Sequence, residues 1–136
     1  MILLLALFVT GCAKSPSDEL KAEMQTVSSW AGTAQMVGEE WTRSTVTAAY
    51  ARRTLETAVE AFEQETKALN ELSVASPELR AEWLTRLEKL KQSTMQMQQG
   101  IEQGDRGRVV EEIERLKMEN QAIQTSLQSS SGGQQQ

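Results

Sequence analysis

The stretch SPELRAEWLTRLEKLKQSTMQMQQGIEQGDRGRVVEEIERL, residues 76–116, decides the fold. It opens on Ser76-Pro77-Glu78. These supply a hydroxyl cap, a proline whose fixed φ suits the first helical turn, and an acid near the positive end of the helix dipole. A stripe then runs through Leu79, Trp83, Leu87, Leu90, Thr94, Met97 and Ile101 at spacings of three and four, which keeps it on one helix face. Gly100, Gly104, Gly107 and Asp105 follow closely and predict a turn. Beyond it a further stripe runs through Val109, Ile113, Leu116, Asn120, Ile123 and Leu127. The repeat slips across the turn, so the two stripes cannot share one continuous helix. Folded back on each other, they set Ile101 by Val109, Met97 by Ile113, Leu87 by Ile123 and Trp83 by Leu127. Asn120 interrupts the apolar series, and a polar residue there is expected to fix register at some cost in stability.

Upstream, Ser15-Pro16-Ser17-Asp18-Glu19 carries helix-start signals. A stripe follows through Leu20, Met24, Val27, Ala31, Ala34, Gly38 and Trp41, whose small members allow another helix to come close. A second runs through Ala48, Ala51, Leu55, Ala58, Phe62, Leu69 and Leu72, with Val59 beside it. Arg43-Ser44-Thr45-Val46-Thr47 lies between them, rich in residues that cap helices rather than extend them, and predicts a tight turn. The alternative is one long helix from Ser17 to Leu72, roughly 80 Å, in a helical hairpin or coiled coil. Four helices with short connections predict an all-α fold, an antiparallel up-down-up-down four-helix bundle over residues 18–127. The Ser/Gly/Gln-rich residues 128–136 are expected to form a disordered tail.

Composition narrows the chemistry. There is no histidine and one cysteine, Cys12, so zinc sites, Ser-His-Asp triads and intrachain disulfides lack their residues. A net charge of −5 gives no general attraction to nucleic acid, and none is expected as a partner. Aromatics make up only 4% of the chain, which suits narrow helix–helix seams better than a thick α/β core.

Ile2 to Thr10 is an apolar run of about nine residues, too short for a membrane span of roughly 20 but of signal-peptide length. It ends in Val9-Thr10-Gly11-Cys12. These residues resemble the lipobox of bacterial lipoproteins: an aliphatic residue, a small residue, Gly or Ala, then Cys. No Lys or Arg precedes the run, a departure from the usual leader. The resemblance covers the first dozen residues and implies cleavage between Gly11 and Cys12. It further implies a diacylglyceryl group on the Cys12 sulfur, with acyl chains such as palmitate, and often a third chain on the new amino terminus. It leaves residues 1–11 as signal peptide and 12–17 as a lipidated tether. It implies a membrane-anchored cell-envelope protein facing the periplasm or exterior; Ala13 after the cysteine resembles the outer-membrane destination where the host has two membranes.

No arrangement for catalysis stands out, and neither an enzyme nor a cofactor is expected. Glu39, Glu40, Glu111, Glu112 and Glu114 mostly fall off the apolar stripes and read as solvated surface; Arg108, Glu111, Glu112 and Arg115 have spacings that suit surface ion pairs. Met95 and Met97 point about 200° apart on one helix and cannot share a copper ion, so no metal is expected. Trp41, Arg43, Tyr50, Arg52 and Arg53 cluster near the first turn, with Arg106 and Arg108 at the same distal end, and form the candidate partner-binding residues. The functional expectation is an interaction or scaffold module that holds another envelope protein. The alternatives are a small-ligand or metal carrier with a pocket between helices, and a self-associating coiled-coil homo-oligomer.

Overall fold

The computed structural model describes residues 16–72 and 76–132. Four helices follow one another: α1 (Pro16–Thr42), α2 (Ala48–Glu71), α3 (Pro77–Gln103) and α4 (Arg106–Gly132). There is no strand among the described residues. Each helix packs on its neighbours in sequence and α4 returns beside α1, closing an antiparallel four-helix bundle. The first two stripes belong to separate helices, which rules out the single long helix.

Local chemistry sets the breaks. α1 ends in a Schellman motif: the Thr45 N–H donates to the Glu40 carbonyl at 2.9 Å and the Ser44 N–H to the Trp41 carbonyl at 2.9 Å. Ser44 takes the left-handed position, with φ 62°. The Thr47 hydroxyl then caps α2 by accepting from the Tyr50 N–H at 3.2 Å. Ser76 caps α3 in the same way through the Leu79 N–H at 3.2 Å. α3 ends in a second Schellman motif with Gly104 at φ 67°, and the Asp105 carboxylate at once accepts from the Arg108 N–H at 3.1 Å to start α4. The two-residue connection leaves α4 no direction but back along α3.

The core is the four stripes brought together. Met24, Val27, Ala31 and Ala34 of α1, Leu55 and Phe62 of α2, Leu87, Leu90 and Met97 of α3, and Val109, Leu116 and Ile123 of α4 are buried. Each large one stabilises the fold by about 1.5–3 kcal/mol. Gly38 is where the square closes diagonally. A Cβ there would meet Met97 Sδ at 2.7 Å and Ile113 Cγ1 at 3.0 Å. Among the described residues α1 therefore touches α3 across the bundle, whereas α2 and α4 do not touch. At the α3–α4 turn Gly100 plays a similar part, since a Cβ would meet Val109 Cγ2 at 2.9 Å. Asn120 lies on the α1–α4 seam and accepts from the Ser28 hydroxyl at 2.6 Å, a cross-helix bond that suits its expected part in setting register.

Two boundaries and two stripe positions differ from expectation. α1 begins at Pro16, inside the stretch read as tether. Ala48, at the first position of α2, and Leu79 are exposed rather than core, because each sits in the first turn beyond the packed length of the seam. α4 runs past Leu127 to Gly132, because nothing in Gln128 to Ser131 breaks the hydrogen-bond ladder. The leader 1–11, Cys12 with the rest of the tether to residue 15, connection residues 73–75 and tail residues 133–136 lie outside the described residues.

Candidate functional site

The α1–α2 and α3–α4 turns share one end of the bundle, where Arg106 Nη2 stands 3.5 Å from the Ser44 hydroxyl. This distal end holds the arginines picked out in the sequence. Arg43 lies exposed in the turn, Tyr50 is 55% exposed on the first turn of α2, and Arg52 and Arg53 are exposed just beyond it. Arg52 and Arg53 line a groove of about 630 Å³ between α2 and α3, faced by Met95, Gln98 and Glu102. Gln98 Nε2 donates to the Arg52 carbonyl at 3.3 Å and braces the groove. Among the described residues no carboxylate lies within ion-pair distance of Arg43, Arg52 or Arg53. Glu56 and Glu102 line the same groove without an ion pair to them, while Glu39 accepts from Gln35 Nε2 at 3.2 Å and Asp105 caps α4.

Trp41 is half-buried and packs on the core, because it continues the α1 stripe to the bundle's end. Of the ion pairs that the spacing of Arg108, Glu111, Glu112 and Arg115 allows, Arg115–Glu112 forms, and Arg108 is engaged elsewhere. Its guanidinium reaches across to α3 and bonds Gln96, Gln99 at 3.1 Å and Gln103 at 3.5 Å.

The carboxylates hold a further surprise. Glu112, read as solvated, is only 3% exposed; one oxygen meets Arg115 Nη1 at 2.5 Å and Oε2 has no hydrogen-bond partner. Glu65 of α2 faces Glu23 of α1. Burial, then a side-chain hydrogen bond with Glu23 and its charge, push the Glu65 carboxyl up from the ordinary range to about 8. A signal for both was present. Glu65 stands three residues after Phe62 and four before Leu69, and Glu112 three after Val109 and four before Leu116, so each occupies a position of its apolar repeat. Among the described residues no three His, Cys, Asp or Glu side chains stand close enough to share a metal ion.

The opposite, proximal end holds the start of α1, the end of α2, the start of α3 and the end of α4. Here a groove of about 410 Å³ opens between α1, α3 and α4. Leu20, Met24, Trp83 and Leu127 make its apolar wall, and Thr125, Ser126 and Ser129 its α4 rim. Trp83 and Leu127, expected side by side, meet in it. The groove itself was not visible in the sequence, since its residues come from three helices and are separated by about 40 positions or more along the chain. No described helix is long and apolar enough to cross a membrane. No family model matches the chain, and no curated protein or solved structure matches it.

Proposed function

We propose that this chain is a lipid-anchored protein of the cell envelope, acylated at Cys12, whose helical bundle binds a partner protein at its distal end. The observation that carries the proposal is the division of the bundle between its two ends. Cys12 precedes the first residue of α1 by four positions, so an anchor there sits at the proximal end. A 27-residue helix spans about 40 Å, which holds the distal end well clear of a bilayer surface. At that end Arg43, Arg52 and Arg53 are exposed, with Tyr50 beside them, and among the described residues none of them is ion-paired to a carboxylate. Unsatisfied guanidinia next to an aromatic suit a partner surface that carries carboxylates, since Arg binds them through two parallel hydrogen bonds. Anchoring would raise the local concentration of the bundle at the membrane and favour capture without new contacts. The protein acts by binding rather than by catalysis, and no cofactor is required.

Two experiments test this. Mass analysis of the natural protein should show a mature amino terminus at Cys12 carrying acyl chains; an intact Met1 or a free thiol would overturn the anchor. Photo-crosslinking from position 50 in the native host should capture a discrete partner. Arg43→Ala, Arg52→Ala and Arg53→Ala together should lower that capture at least about tenfold, with helicity by circular dichroism unchanged. Equal capture by the triple variant would overturn the distal site.

A further inference from the structure

We infer that the proximal groove between α1, α3 and α4 is an acyl-chain site, and that its occupant is one of the chains carried on Cys12 of the same molecule. The inference rests on the lipidation of Cys12 proposed above. The groove has the lining such a ligand needs: Leu20, Met24, Leu79, Trp83 and Leu127 offer a carbon surface for the chain, and Lys21, Glu82 and the α4 hydroxyls complete the lining with polar groups. Trp83 is 5% exposed, so its indole forms a floor rather than a flap. The short hydroxyl side chains of Thr125 and Ser126 leave the slot open on the α4 side, where larger residues would close it.

Reach identifies the occupant. Cys12 precedes Pro16 by four residues, and Leu20 follows Pro16 by four. An extended tether of that length reaches about 14 Å. The first turn of α1 rises only about 6 Å from Pro16 to Leu20. The Cys12 sulfur can therefore stand at the mouth of the groove with chain to spare. A chain attached this close competes at a high effective concentration, which a phospholipid leaving the bilayer does not match. Two chains left in the bilayer still suffice for stable anchoring, so a third is available to the protein. Seating it would hold the proximal end of the bundle against the membrane surface.

The test uses the full chain, produced in a host fed a fatty acid with a diazirine near its tail, then purified and irradiated. Peptide mapping should find the Cys12 chain crosslinked to the segments around residues 20–24, 79–83 or 125–129 of the same molecule. Thr125→Trp, an exposed position on the rim, should fill the slot and cut that yield at least about fivefold while helicity holds. A Cys12 that is acylated but crosslinks only to lipid or detergent overturns the inference and leaves the anchor standing. So does labelling of the groove by an added diazirine phospholipid with none from Cys12. A Cys12 without acyl chains removes the anchor and this inference together.

Discussion

Ser44 holds a φ of 62° at a position where helices commonly end in glycine, and Gly104 holds 67° at the equivalent place one hairpin later. For a residue with a Cβ the left-handed conformation costs about 1–2 kcal/mol, and the weak Ser44–Arg106 contact offsets little of it. Ser44→Gly is expected to stabilise the bundle by about 1 kcal/mol, and Gly104→Ala to destabilise it by a similar amount, in urea unfolding. Glu65 gives a second prediction. Its carboxyl is raised by burial and by Glu23 to about 8, from 4.5. Between those pH values the folded chain keeps a proton that the unfolded chain has released, so this group's contribution to stability falls as pH rises through the window. Glu65→Gln should flatten that slope. At pH 8–9 it should raise stability by about 1–2 kcal/mol, allowing for solvent screening of a half-buried pair. Unfolding at pH 5 and pH 9 compares the two proteins; an unchanged slope would show that Glu65 ionises normally.

At the level of elements, stripe and cap signals carried most of the fold. Ser76, Thr47 and Asp105 cap the helices they precede, and the stripes of α1 to α4 supply the buried core. They were legible because capping and helical period depend on neighbours within about four residues. The diagonal closure at Gly38 was legible only in part. A small stripe announced a close approach, but not that Met97 of α3 would fill it from across the bundle. Gly38→Val should drive three carbons toward Met97 and Ile113 and cost about 2–3 kcal/mol in thermal unfolding. A neutral result would mean that the diagonal contact is loose.

At the level of the whole molecule, the four stripes are consumed in one core, and among the described residues no continuous apolar seam is left for a coiled-coil partner. The exposed large apolar residues are spread over all four helices: Met36 on α1, Tyr50 on α2, Leu79 and Met95 on α3, Val110 and Met118 on α4. Isolated exposed residues of this kind are ordinary surface. The domain without its leader should therefore sediment as a monomer; a stable dimer would restore the self-associating alternative. The two ends differ in character. The distal one carries exposed guanidinia, and the proximal one carries an apolar groove.

The amino-acid order by itself determined the all-α class, the four amphipathic stripes, the capped start of α3 and the return of α4 along α3, because each depends on short-range spacing and backbone chemistry; it left the break between α1 and α2 open, and the structure closed it. Tertiary packing alone decided the rest. It turned Trp41 inward, buried Glu112, set Glu65 against Glu23, brought Arg52 and Arg53 into one groove with Met95 and Glu102 of α3 and opened the groove beside Trp83. These outcomes depend on which faces of distant helices meet and at what height, and a periodic pattern along one helix does not encode that.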